Sequence, residues 1–188
     1  MQCIAAPTEA NLTVNHSRFF GFAVPVTDET QLRPHLARIA GLHAQAHHLA
    51  FAYRIKSPSG IAAYCNDAGE PNGTAGRPIL AQVSGFDAVN VLVAVVRYFG
   101  GIKLGAGGLV RAYGGTAKMA LEAAEWIPYI EFEELRLSVD YAKFQSLEYQ
   151  VRKAGGEIIG KSFGAEVEVV AKIPITAASG LKERFGNA

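Results

Sequence analysis

Residues able to do chemistry fall mainly in two stretches. The first holds Asp67, Gly69, Glu70, Pro71, Gly73, Thr74, Ala75, Gly76 and Arg77. Its carboxylates and hydroxyl suit a general base, a metal ligand or a polar clamp. The alternative is loop building: Asp67 caps a turn and Glu70 pairs with Arg77 or Arg97. The second stretch holds Arg97, Tyr98, Phe99, Gly100, Gly101, Lys103, Leu104, Gly105, Gly107, Gly108, Leu109 and Arg111. No acid occurs between Asp87 and Glu122, while Arg97, Lys103, Arg111 and Lys118 do. Glycines before a helix leave backbone N–H groups free, and the helix dipole adds partial positive charge there. Arg97, Lys103, Gly105, Gly107, Gly108 and Arg111 therefore form a candidate anion site for phosphates of RNA or a nucleotide, with Tyr98 beside it to stack on a base. The alternative is solvated charge on a surface helix, with glycines serving close packing. Gly114 and Gly115, inside the helix, point to such a close approach.

Other reactive side chains say less. His47 and His48 face opposite ways if both begin a strand, so they cannot share a metal. Phe99 and Tyr113 either stack on bases or pack a core edge, and core-edge packing is the expectation for Phe99. Cys65 has no histidine partner and reads as an ordinary thiol. No metal and no cofactor are expected. The glycine loop lacks the Gly-Lys-Ser/Thr of a phosphate-binding P-loop, and it lacks the third glycine and downstream acid of a dinucleotide fingerprint.

The elements that must position these groups follow from pattern. Val89 to Val96 is a short, almost unbroken β-branched run, expected as a strand buried on both faces. Leu109 to Ala124 is expected as the helix after the glycine loop. Upstream, Ser17 to Val24 reads as a strand, and Met1 to Asn15 as a weak edge strand. Thr27 or Asp28 caps a helix through Leu32, Leu36 and Ile39. His47 to Ile55 and Ile61 to Cys65 read as paired strands, and Pro78 suits the first turn of a helix ended by Gly85. Near Pro128 the pattern breaks and acids cluster, which places a domain boundary there: residues 1–128 and 129–188. The second part reads βαββα, with strands Glu133 to Val139, Glu157 to Phe163 and Ala165 to Ile173, and helices Tyr141 to Ala154 and Thr176 to Phe185. That is a ferredoxin-like order without its final strand. The class is α+β.

With 188 residues, 49% hydrophobic and 19% charged, the chain is long enough for two cores. A net charge of +1 excludes a general polycation, so nucleic-acid binding needs a local patch. Two cysteines make no disulfide framework, and no signal peptide or run of about 18 apolar residues is seen. A cytoplasmic location, no membrane contact and a monomer are expected.

Asp67-x-Gly69-Glu70-Pro71-x-Gly73-Thr74-Ala75-Gly76, followed by Arg97-Tyr98-Phe99-Gly100-Gly101-x-x-Leu104-Gly105-x-Gly107-Gly108-Leu109 and preceded by Ser17-Arg18-Phe19, resembles the YigZ/IMPACT family. The resemblance covers most of Ser17 to Ala124. It implies an N-terminal α/β domain like the second domain of a small-subunit ribosomal protein and like GHMP kinases. It also implies a C-terminal domain similar to the fifth domain of elongation factor G. Eukaryotic members are translation regulators of the amino-acid starvation response, competing for the activator of a starvation-sensing kinase. For bacterial members, nucleic-acid or ribosome binding is the usual suggestion. Two departures stand out. Ala68 occupies a position usually acidic in the family, which weakens any metal role, and the chain stops before the small domain's usual last strand. The serines of the GHMP phosphate loop are absent, which argues against ATP-dependent phosphoryl transfer. The expected function is binding to RNA, a ribosome or a translation-associated partner, with an effect on translation under stress. Two alternatives are an enzyme for a small phosphorylated or acidic substrate near the glycine loop, and a protein–protein adaptor without nucleic-acid contact.

Overall fold

A computed structural model describes residues 1–186. The apolar run forms strand β6 (Val91–Tyr98), buried at every residue but Tyr98. With it, the first 129 residues hold the strands β1 (Gln2–Ile4), β2 (Thr8–Val14), β3 (Ser17–Pro25), β4 (His48–Ser57), β5 (Gly60–Asn66) and β7 (Trp126–Pro128). Five of these strands form one antiparallel sheet in the order β2-β3-β6-β4-β5, so β6 lies at its centre.

Both faces of that sheet are covered, which explains the absence of alternation in β6. Val91, Val93 and Val95 pack with Ile79 of helix α2 (Gly76–Gly85) and with Tyr113 and Leu121 of helix α3 (Gly105–Glu122). Ala94 and Val96 pack on the other side with Phe22 and with Ile39 of helix α1 (Leu32–Leu42). A 3-10 turn at Glu29–Gln31 precedes α1, and the Asp28 carboxylate accepts from Thr30 N at 2.9 Å. This is the expected cap one turn early.

Two local expectations, the start of the helix after the glycine loop and the source of the close approach to it, are corrected, and the expected place of Pro78 is kept. Helix α3 begins at Gly105 and ends at Glu122, so Gly107 and Gly108 lie in its first turn and not in the loop. Packing on the sheet outweighs the low helix propensity of glycine there. Helix α2 begins at Gly76, with Pro78 still in the first turn, where its missing N–H costs nothing. The close approach to α3 comes from β3: a Cβ on Gly21 would sit 2.9 Å from Thr116 O. One on Gly114 would meet Pro78 Cβ at an ordinary 3.6 Å.

At the amino end, two strands replace the single weak one. β2 pairs with β3 along the sheet edge, while β1 pairs with β7, Gln2 opposite Pro128. Trp126–Pro128 is thus a strand, and the first unit runs through Tyr129.

The second unit begins at Ile130. Its elements are β8 (Phe132–Val139), α4 (Tyr141–Lys153), β9 (Glu157–Phe163), β10 (Val167–Pro174) and α5 (Ile175–Phe185). The sheet order is β8-β10-β9, antiparallel throughout. Leu135, Leu137, Val169 and Ile173 pack on Leu147, Val151, Leu181 and Phe185. Asp140 caps α4 by accepting from Lys143 N at 2.8 Å, and Gly155, at φ +76°, ends it. The chain is α+β, in two units.

Candidate ligand-binding site

The loop from Asn66 to Ala75 is built by its own side chains. Asp67 accepts from Gly73 N and Ala75 N at 2.9 Å and from Gly76 N at 2.8 Å. Burial raises its pKa, but these three N–H donors and the Arg77 charge outweigh that and hold the carboxyl below its usual range. The Thr74 hydroxyl donates to Pro71 O at 2.6 Å. Asp67 and Thr74 therefore serve the loop's shape, and the exposed Arg77 lies against Gly73.

That shape turns Glu70 inward. Its Oε1 accepts from Arg97 Nη1 of β6 at 2.7 Å and from the Tyr113 hydroxyl of α3 at 2.7 Å. Relative exposure is 8% for Glu70, 5% for Arg97 and 0% for Tyr113. Burial, then the Glu70 carboxylate, pushes the Tyr113 hydroxyl far above its usual range, so it stays a donor. The Arg97 guanidinium lies between the rings of Phe19 and Phe99, 5.6 and 5.4 Å from their centroids. Its Nε is buried without a hydrogen-bond partner among the described residues.

His48 stands opposite Arg97 in the β4–β6 register. Its Nδ1 lies 2.9 Å from Ala68 O and so donates to it, while Nε2 is 3.8 Å from Glu70 Oε1. A neutral ring then carries its lone pair at Nε2. His47 precedes the strand, and its Nδ1 accepts from Phe99 N at 3.2 Å. The two imidazoles, expected on opposite faces, line one pocket because β4 begins only at His48.

This pocket has a volume of about 450 Å³. Glu70, Arg97 and His48 meet Phe99, Lys103 and the start of α3 at Gly105 there. The helix start carries no side-chain cap and no acid in its first turn. Gly105, at φ +69°, holds a conformation that strains other residues. Lys103 is exposed. A buried charge pair, an exposed cation and uncapped amides can hold an anionic, partly planar ligand.

The expected site residues are only partly gathered here. Arg97, Lys103 and Gly105 line the pocket, as does Glu70 of the other motif. Gly107 and Arg111 are exposed on the first two turns of α3, and Gly108 packs against Leu104. Tyr98 faces the other side of the sheet, as alternation after Arg97 requires. There it contacts Phe20 and lies 3.0 Å from His43 Nδ1 through its hydroxyl, with Arg18 over its ring. Tyr113 is interior, so it cannot stack on a base.

A larger groove of about 600 Å³ lies on the α1 side, lined by Leu36, Phe51, Tyr53 and Tyr64. Its walls are mostly apolar, and the smaller pocket, where polar and charged groups converge, is the better chemical site. Among the described residues, no three metal-ligating side chains cluster, and no helix is long and apolar enough to cross a membrane.

Residues 15–121 match the family model of the Impact N-terminal domain. The chain belongs to the IMPACT family. It is 44% identical over 128 residues to a Thermus thermophilus protein described as an IMPACT family member in the pol 5'region, covering 68% of each chain. It is 31% identical to the IMPACT family member YigZ of Escherichia coli strain K12, over 90% of this chain and 84% of that one. A crystal structure of a hypothetical protein, 29% identical, superposes with a TM-score of 0.74 over 97% of this chain and 89% of its own. Yih1, described as a two-domain translational regulator, is 28% identical over 64% of this chain and 46% of its own, with a TM-score of 0.37.

Proposed function

We propose that this chain is a translation-associated RNA-binding protein whose pocket at the start of α3 takes one nucleotide of a single strand. One observation carries the proposal: the buried Arg97–Glu70 pair opens onto the same pocket as Lys103 and the uncapped α3 start. Lys103 and the helix amides suit a phosphate, and the exposed ring of Phe99 offers a surface for stacking. Family membership supports a link to translation, since the motifs resemble those of translation regulators. The strand belongs to free RNA or to a ribosome.

A second reading rests on His48 and Glu70. An imidazole with Nδ1 held by a carbonyl and Nε2 facing a carboxylate is arranged for acid–base chemistry on a small phosphorylated or acidic substrate. Titration with single-stranded RNA at two salt concentrations separates the readings. Binding that weakens with salt supports the first. Its absence, with turnover or retention of a small phosphate ester, supports the second.

A further inference from the structure

The pocket contains two charged groups with hydrogen-bonding capacity to spare. Both hydrogen bonds to Glu70 fall on Oε1, from Arg97 and Tyr113. No hydrogen bond among the described residues reaches Oε2, which can accept two donors. Arg97 uses Nη1 on Glu70, and no hydrogen bond among the described residues reaches its Nη2; its Nε is sealed inside, so a ligand would meet the terminal N–H groups. The side chains of Arg97 and Glu70 are only 6% and 4% exposed. Charges so far from water are costly unless their remaining sites are matched. A ligand that completes both must bring donors to a carboxylate and, beside them, an acceptor for a guanidinium.

Resting on the RNA-binding reading, we propose that the pocket selects guanine. Guanine offers two adjacent N–H donors, at N1 and N2, next to the O6 acceptor. Glu70 Oε2 takes the donors and the Arg97 guanidinium faces O6. Uracil has the keto oxygen and one N–H, without the amino group. Adenine and cytosine offer an amino donor beside a ring nitrogen, and so lack the second N–H in line. His48 adds to the preference for a donor-rich edge: with Nδ1 donating to Ala68 O, its neutral ring presents a lone pair at Nε2, 3.8 Å from Glu70 Oε1. Phe99, 40% exposed, lies against the base, and Lys103 with the α3 start takes the phosphate.

The test compares guanosine and inosine 5'-monophosphates, and single-stranded RNAs carrying one guanosine or one inosine in a uridine context, binding to the full chain. Inosine lacks only the N2 amino group. The expected result is a preference for guanosine of about tenfold in both formats. Glu70→Gln should abolish it, because the amide oxygen can still accept from Arg97 and Tyr113 while its NH₂ group replaces Oε2. Lys103→Ala, at an exposed position, should weaken both ligands alike and leave the ratio intact. Equal affinity of the wild-type protein for guanosine and inosine, with RNA still bound, overturns guanine selection and leaves RNA binding standing. Discrimination between the free nucleotides without any RNA binding overturns the RNA reading alone. Binding of neither overturns both.

Discussion

Arg97 and Glu70 lie 27 residues apart in the chain, yet their side chains meet at 2.7 Å with 6% and 4% exposure. The pair ties the loop before α2 to the central strand, and Tyr113 adds α3 through the same carboxylate oxygen. Removing one member leaves the other charge buried and unmatched. Arg97→Ala is expected to lower stability by about 3–5 kcal/mol. Tyr113→Phe keeps the ring that packs edge-on against Phe19, 5.3 Å between centroids, and removes only the bond to the carboxylate. It should cost about 1.5–3 kcal/mol. Urea denaturation midpoints check the order, and a destabilisation by Tyr113→Phe equal to that of Arg97→Ala would contradict it.

The same loop predicts an acid sensitivity. Asp67 is held below its usual carboxyl range in the folded state, because three backbone N–H donors overcome the effect of burial. A depressed folded pKa means that its stabilisation is present above the unfolded value, about pH 4, and is lost as pH falls through the folded one. Asp67→Asn should therefore be less stable than wild type at neutral pH, and should lose less on further acidification below about pH 4. Thermal midpoints at pH 7 and pH 3 measure this. Parallel losses in both proteins would show that Asp67 does not contribute to the acid limb.

Much of the fold was legible because it is written locally. The unbroken run in β6, the glycine and proline punctuation of the loops and the acid-rich break before β8 each depend on neighbours in sequence. The site was legible only in its parts. Arg97 and Tyr98 are adjacent residues that enter opposite faces of a sheet, so grouping them in one site conflicts with the alternation of a strand. Tyr113 could be read as a base-stacking or a core aromatic, and only the position of α3 against Glu70 shows its role as an interior donor. Gly105, Gly107 and Gly108 have low helix propensity, so nothing local placed the start of α3 at Gly105. The pairing of Gln2 with Pro128 spans the whole first unit, and no periodicity encodes it.

Charge at the rim should govern RNA affinity without governing stability. Lys103 and Arg111 are both exposed and belong to no ion pair found among the described residues. Replacing each by Ala should leave stability within about 0.5 kcal/mol of wild type, as denaturation midpoints would show. The slope of log affinity against log salt should fall by about 0.7 for each phosphate of a single strand that is no longer neutralised. Lys103 lines the pocket and Arg111 does not, so Lys103→Ala should have the larger effect. Equal small effects would place the phosphate elsewhere on α3.

The most direct test is an amide-resolved NMR titration of the full chain with a short single-stranded RNA, in which the Arg97 side-chain Nε–H is also observed. That group is buried, with no partner among the described residues, on a side chain that lines the pocket, and the amides of Gly105 and Ala106 sit at the uncapped start of α3. The predicted result is that these three signals and those of His48 and Phe99 shift together, saturating with one affinity. Shifts confined to other surfaces, with these signals unmoved at saturating RNA, would contradict the assignment of this pocket as the binding site.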